Sequence, residues 1–314
     1  MTALDRYRGC LLGLAAGDAL GTTLEFCPPG TFDPVIDMVG GGPFGLHPGE
    51  WTDDTSMALC LAESLVTRRG FDPVHQLETY MKWWRHGHLS VKGLCFDIGG
   101  TTAAALREFE RHPGPYPGST DSHAAGNGSL MRLAPAPLAF AANPAEAIRL
   151  AGESSRTTHG AAECVAACRY FAGLLLAAVH GLPKEAILNN DYEPAMRAFL
   201  DGPLPPKVAE VAGGSFKRKQ PPVIRGTGYV IHTLEAALWA FHTTDDFRDG
   251  ALAVVNLGED ADTTGAVYGQ IAGAFYGEDG IPAEWRAKLA MRELIERRAG
   301  ELHALALGNG ERGA

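Results

Sequence analysis

Gly258-Glu259-Asp260-Ala261-Asp262-Thr263-Thr264 leads into a run with glycine at every fourth position: Gly265, Gly269, Gly273 and Gly277. Asp at i and i+2 cannot share one face of a helix, where neighbours sit three or four residues apart. The two acids converge if Asp260 stands in a loop and Asp262 caps the helix that follows, since Asp and Thr are natural cap residues. Oxygen donors packed this densely at a helix start suit a hard cation such as Mg²⁺ or Mn²⁺. An acidic cap on a solvated helix is the bland alternative. The glycine series speaks to the fold. Each interior glycine costs a helix ~1 kcal/mol relative to alanine, so a series of them needs a reason. The same spacing recurs at Gly9, Gly13, Gly17 and Gly21, within residues 4–20, whose apolar positions fall at helical spacing. A stripe without side chains lets another backbone approach closely. This predicts that the two helices cross, or each receive a neighbour, at the protein's centre, and that the ends of the chain come together.

Outward from these two segments, helical patterns cover 55–68, 73–86, a stretch ending near Arg111, a short piece at 130–133 stopped by Pro135 and Pro137, 144–154 and 159–180. Shorter helices between prolines follow in 181–212, then helices at 227–242 and 245–257, and two further helices finish the chain. There is no strand series, βαβ alternation, long linker or sharp change in composition, so residues 1–314 are expected to form a single all-α domain with its site on loops and helix N-termini. Apolar content of 46% with 20% charged residues describes a soluble globular chain, and no apolar run approaches the ~20 residues of a membrane span. The net charge of −10 speaks against a nucleic-acid surface. Arg6 and Arg8 before Cys10–Ala16 resemble a short leader, but Asp18 and the glycine spacing give that segment another use. Six cysteines without a CxxC pair fit reduced thiols in a cytoplasmic protein, and a monomer is expected.

A second packed set of oxygen donors stands at Trp51-Thr52-Asp53-Asp54-Thr55, again before an apolar helix, and Glu25 precedes it across a Pro- and Gly-rich loop. Five carboxylates, Glu25, Asp53, Asp54, Asp260 and Asp262, converging without metal would raise one another's pKa values. Two divalent cations would neutralise most of that charge, with Thr52 and Thr263 as hydroxyl partners, and such a site can clamp substrate oxygens and activate water. Asp97 is an isolated acid between apolar residues, beside Gly99 and Gly100, which leave backbone N–H groups accessible; a helix-capping acid is its bland reading. Lys217, Arg218, Lys219 and Arg225 form the main basic cluster, with a solvated loop as the alternative.

Four blocks, Gly17-Asp18-Ala19-Leu20-Gly21 with Glu25, Trp51–Thr55, Gly126–Arg132 and Gly258–Thr263, together resemble the ADP-ribosyl glycohydrolase family in order and across nearly the whole chain. Phe96-Asp97-Ile98-Gly99 and Thr227-Gly228-Tyr229-Val230 look closest to the bacterial dinitrogenase reductase-activating branch. The resemblance implies an orthogonal all-α bundle with a binuclear magnesium or manganese centre. It also implies cleavage of the bond between the distal ribose of ADP-ribose and a modified side chain, usually arginine. Carried over position by position, it implies Thr52, Asp53, Asp54, Asp260, Asp262 and Thr263 as metal ligands, with Glu25 beside the metals as ligand or acid–base. Asp97 is the second candidate for proton transfer; acid and base are not assigned between the two.

For the pyrophosphate and adenosine, backbone N–H groups at Gly99-Gly100 and Gly126-Asn127-Gly128-Ser129 are suitable donors. His159 is similar to a ligand-pocket histidine of the family, or structural. Tyr229 covers the nucleotide or packs in the core, and Arg132 contacts phosphate or sits in a buried ion pair. The implied partner is an ADP-ribosylated protein or ADP-ribose, with no nucleic acid and no membrane. Rival activities are hydrolysis of ADP-ribosyl-serine or O-acetyl-ADP-ribose, non-catalytic ADP-ribose binding, and magnesium-dependent phosphohydrolysis.

Overall fold

Thr2 and Asp5 exchange hydrogen bonds as a capping box, and the first helix starts there. The computed structural model describes residues 1–189 and 202–313. Its helices are α1 (Ala3–Gly21), α2 (Asp53–Arg68), α3 (Pro73–His86), α4 (Gly100–Arg111), α5 (Pro135–Ala139), α6 (Pro144–Arg156) and α7 (Ala162–Val179). Then come α8 (Lys184–Ile187), α9 (Pro206–Ala212), α10 (Val230–Thr243), α11 (Phe247–Val255), α12 (Ala261–Tyr276), α13 (Ala283–Lys288) and α14 (Arg292–Gly313). Among the described residues there is no strand, only isolated bridges such as Gly126 with Tyr229. The fold is all-α.

The two glycine-striped segments are α1 and α12, and they pack directly on each other, running in opposite directions. Gly9 meets Gly273 and Gly277, Gly13 meets Gly269, Gly17 meets Gly265, and Gly21 meets Ala261 and Asp262. A Cβ at any of these α1 glycines would fall inside contact distance of the facing backbone. Close backbone approach is the reason for the series. Both helices are buried nearly all round, as expected for helices that run through a core rather than along a surface. Helices α2 and α14 pack against α1, while α7, α10 and α11 pack against α12. Arg6 near the start of α1 donates through Nη1 to the carbonyls of Ala178, Ala274 and Phe275, where α7 and α12 end, placing a cation at two helix C-termini.

Two expectations are corrected. Residues 130–133 form turns, not a helix, and Pro135 begins α5 at its first position instead of stopping a helix; proline's fixed φ and missing N–H suit a helix start. Helix α7 is long and apolar enough to cross a membrane by length and composition, yet 72% of that window is buried inside the protein. The leader-like segment forms the middle of α1. The shorter helices read in 181–212 are α8 and α9; positions 190–201 lie outside the described residues.

Substituting Gly269→Ala puts a methyl group against the carbonyl oxygen of Gly13 with no flexible neighbour to move aside. Chemical denaturation is expected to show a loss of about 2–3 kcal/mol or more. Gly300→Ala, on α14 with nothing within 4 Å of the added carbon, is expected to be neutral or to stabilise by up to about 1 kcal/mol. Equal effects at the two positions would contradict direct backbone packing.

Candidate metal centre and active site

The N-terminus of α2 is held from another helix. Asp18, buried within α1, accepts through Oδ1 from the Thr52 N–H and through Oδ2 from the Thr55 N–H, at 2.9 and 3.0 Å. Its Oδ2 also accepts from the Thr55 hydroxyl at 2.6 Å. Two of the helix's unsatisfied first-turn donors are thereby met, so Thr52 does not cap its own helix. The Thr52 hydroxyl instead faces Asp18 Oδ1, Asp54 Oδ2 and Asp262 Oδ2 at 2.9, 3.0 and 3.3 Å. One hydroxyl carries one hydrogen. The remaining close approaches set oxygen against oxygen and call for a proton or a cation.

Asp260 occupies the N-cap position of α12, and Asp262 lies one residue inside the first turn. The expected arrangement had Asp260 in the loop and Asp262 as the cap; the helix starts two residues earlier. The Asp260 side chain makes no cap bond either: Asn127 Nδ2 donates to its Oδ2 at 2.6 Å, and Thr263 N–H donates to Asp262 Oδ1 at 2.8 Å. Glu25 ends the short turn after α1, and Phe26 beyond it takes a left-handed φ of 62°, a conformation that costs energy for a bulky residue. Phe26 N–H donates to the Glu259 carbonyl at 2.7 Å and Glu259 N–H to that of Cys27 at 2.8 Å. These bonds fasten the Glu25 loop to the Asp260 loop.

The result is two carboxylate triads sharing one member. Asp18, Asp54 and Asp262 each bring an oxygen within 4.8 Å of the others, and so do Glu25, Asp97 and Asp262. Burial pushes the Glu25 carboxyl up to about 9, with Asp97 and Asp260 adding to the rise. Burial raises Asp18 to about 6 against the opposing pull of Thr55 and Thr52, and raises Asp97 to about 6 against that of Asp53. Asp53, Asp54 and Asp262 stand well above the ordinary range, through burial first and then neighbouring carboxylates. Asp260 is also raised by burial, opposed by Asn127.

Glu25 Oε2 and Asp54 Oδ1 are buried with no hydrogen-bond partner among the described residues. Unpartnered acceptors among crowded, oxygen-only donors are what a hard cation would satisfy. The residues fit a metal centre.

A cleft of about 300 Å³ opens over this floor. Glu25, Asp53, Asp97, Asp260, Asp262 and Thr263 line it, while Thr52 and Asp54 lie fully buried behind them. Gly99 and Gly100 line it at the N-terminus of α4, and a Cβ on either would meet nothing within 4 Å. Gly126, Asn127, Gly128 and His159 form part of the wall.

Other expected donors point elsewhere. The Asn127 N–H is taken by the Gly228 carbonyl at 3.1 Å, so Asn127 acts through its side chain on Asp260. Ser129 is buried off the cleft, accepting from Ser155 Oγ at 2.8 Å. Tyr229 packs against the core with its hydroxyl donating to Glu163 and accepting from Lys207. Arg132 forms no ion pair among the described residues and contacts a carbonyl and hydroxyls instead. Of the basic cluster, Lys219 pairs with Glu210 and Glu235 and Arg225 with Glu259.

Asp18 is the residue that sequence reasoning passed over. Its signal was available: an acid inside an apolar helix, on the turn next to the glycine stripe. A buried charge needs partners, and its partners begin the second acidic set.

The model of the ADP-ribosylglycohydrolase family matches residues 1–312. The chain belongs to the ADP-ribosylglycohydrolase family. It is therefore a member of a family of hydrolytic enzymes, as expected from the ordered motifs. It is 43% identical to the ADP-ribosylarginine hydrolase Tri1 of Serratia proteamaculans over 304 residues, covering 97% of this chain and 80% of that protein. It is 32% identical to the ADP-ribosyl-[dinitrogen reductase] glycohydrolase of Rhodospirillum rubrum, covering 96% and 97%. A solved structure, an ADP-ribosylglycohydrolase-related protein complex, superposes with a TM-score of 0.85 at 46% identity, over 97% of this chain and 99% of that one.

Carboxyls raised in the folded state keep protons that the unfolded chain has released above pH about 4. The contribution of these carboxyls to the stability of the metal-free glycohydrolase is therefore fully present in acid and is lost as pH rises, through about 6 for Asp18 and Asp97 and through about 9 for Glu25. Thermal melts of chelator-treated protein are expected to fall between pH 5 and pH 8, and added Mg²⁺ to restore more at pH 8. A metal-free melt that rises over this range would contradict the assignment.

Proposed function

We propose that this glycohydrolase removes ADP-ribose from modified arginine side chains, using two divalent cations, magnesium or manganese. The observation that carries the reading is the pair of carboxylate triads sharing Asp262 on the floor of the cleft. The oxygen-only donor set favours these cations over zinc. Two relatives whose names specify an ADP-ribosylarginine or ADP-ribosyl-protein substrate span nearly all of the chain. A cytoplasmic setting is part of the proposal, supported by six unpaired cysteines.

Asp18, Asp54, Asp262, Glu25 and Asp97 supply the triads, with Asp53 and Asp260 beside them. Cations bound there would neutralise the acids and hold ribose hydroxyls. Asn127 keeps the Asp260 carboxylate turned toward the cleft. The first N–H groups of α4, beside Gly99 and Gly100, supply unpaired donors and the positive end of a helix for an anionic pyrophosphate. In the reaction the N-glycosidic bond breaks, water adds its oxygen to the anomeric carbon, and the guanidine nitrogen gains a proton. Glu25 and Asp97 each offer one oxygen to their triad and also line the wall; their second oxygens form the proton-transfer pair, one serving the water and the other the leaving nitrogen.

The test is incubation with Mg²⁺ or Mn²⁺ and separate arginine- and serine-ADP-ribosylated proteins, with products identified by mass spectrometry. ADP-ribose released from arginine alone is expected. Release from serine alone would reassign the linkage, and AMP would contradict glycosidic cleavage. Asp260→Ala is expected to lower turnover at least about 100-fold while weakening Mn²⁺ binding; wild-type turnover in that variant would refute the metal role.

A further inference from the structure

Arg132 is almost completely buried yet meets no carboxylate among the described residues. Its Nη1 donates to the Gly128 carbonyl at 2.8 Å and its Nη2 to Thr158 Oγ1 at 2.7 Å, with the guanidinium 4.7 Å from the centre of the Tyr80 ring. A guanidinium has donors only. Thr158 Oγ1 therefore accepts from Arg132 and has one hydrogen left to give. Its other partner is Nδ1 of His159, at 2.8 Å. Giving that hydrogen to Nδ1 makes the ring nitrogen an acceptor and leaves the ring proton on Nε2. Thr158 is itself fully buried, so leaving its hydroxyl hydrogen unpaired would carry a desolvation cost.

The other edge of the ring faces the cleft, and glycines keep it uncovered. A Cβ on Gly128 would stand 2.8 Å from Cε1 and 3.1 Å from Nε2, and one on Gly126 3.4 Å from Nε2. Burial, reinforced by the positive charge of Arg132, holds the imidazole pKa down to about 3, so the ring is neutral.

We propose that Arg132 and Thr158 are positioning residues that fix His159 as its Nε2–H tautomer, presenting a neutral, directional donor to an acceptor oxygen of bound ADP-ribose. The ligand rests on the reading of the cleft given above; the tautomer does not. A buried hydroxyl relay sets the ring's orientation and proton at once, leaving no competing tautomer for the ligand to displace. Gly126 and Gly128 then serve to expose a side chain as well as to line the wall.

The test uses protein labelled with ¹⁵N at histidine, without ligand, at pH 7. The His159 signals are those lost in His159→Gln. Wild type is expected to show protonated Nε2 and bare Nδ1. Thr158→Val, which keeps the shape but removes the hydroxyl, is expected to show both tautomers and to bind ADP-ribose about tenfold more weakly by calorimetry. Thr158→Ser is expected to restore both properties. A wild-type ring protonated at Nδ1, or at both nitrogens, would overturn the proposal, even if the valine variant fails to fold. An unchanged spectrum or unchanged affinity in Thr158→Val would also overturn it. If wild type does not bind ADP-ribose, the substrate reading fails, and the spectrum decides the tautomer by itself.

Discussion

The backbone contact between α1 and α12 is the constraint on which the rest of the structure depends. Because the facing positions are glycines, the two helices approach closely enough for residues at their ends to share one small volume. The close approach ends at Gly21, which lies against Ala261 and Asp262. Asp18, one turn earlier on α1, thus falls beside the start of α12 and within reach of the start of α2. Larger side chains on the stripe would separate the helices and disperse the acids. Packing and chemistry are one design here: the glycines weaken each helix's own propensity, and the contact they permit sets the site.

The same geometry concentrates negative charge where water is excluded. Asp18, Asp54 and Asp262 are all but completely buried, and Glu25 nearly so. Hydrogen bonds answer part of the cost: four donors from Thr52 and Thr55 reach Asp18, and Asn127 reaches Asp260. They do not answer all of it, as the unpartnered oxygens of Glu25 and Asp54 record. A protein that holds such a cluster together gives up stability unless protons or cations occupy it. On our reading that stored repulsion drives cation binding, and the neutral His159 and the α4 N-terminus complete the cleft with donors that add no titrating charge.

Much of this was legible in the sequence because it rests on local pattern. The glycine periods of four marked the central helix pair, and repeated hydroxyl–acid sets before apolar helices marked the site. What escaped depends on three-dimensional choice. Asp260 stands at the cap position expected of Asp262, its N–H donating to the Gly226 carbonyl and its own carbonyl accepting from Thr264. Asn127 read as a backbone donor, yet its amide N–H is used by Gly228 and its side chain by Asp260. For Tyr229 the sequence left nucleotide cover and core packing open, and the ring packs against the core with its hydroxyl held by Glu163 and Lys207. Such competitions between partners distant in sequence leave no periodic trace. Asp18 did leave one, as an acid within an apolar helix whose only sufficient partners lay elsewhere.

The central claim is that Asp262 joins two cation positions. Manganese titration followed by calorimetry and electron paramagnetic resonance tests it most directly. Wild type should bind two Mn²⁺ per chain with a spin-coupled spectrum, and Asp262→Asn should lose the coupling and weaken both sites while remaining folded. A single uncoupled Mn²⁺ in wild type, or two coupled ions retained in Asp262→Asn, would contradict the account.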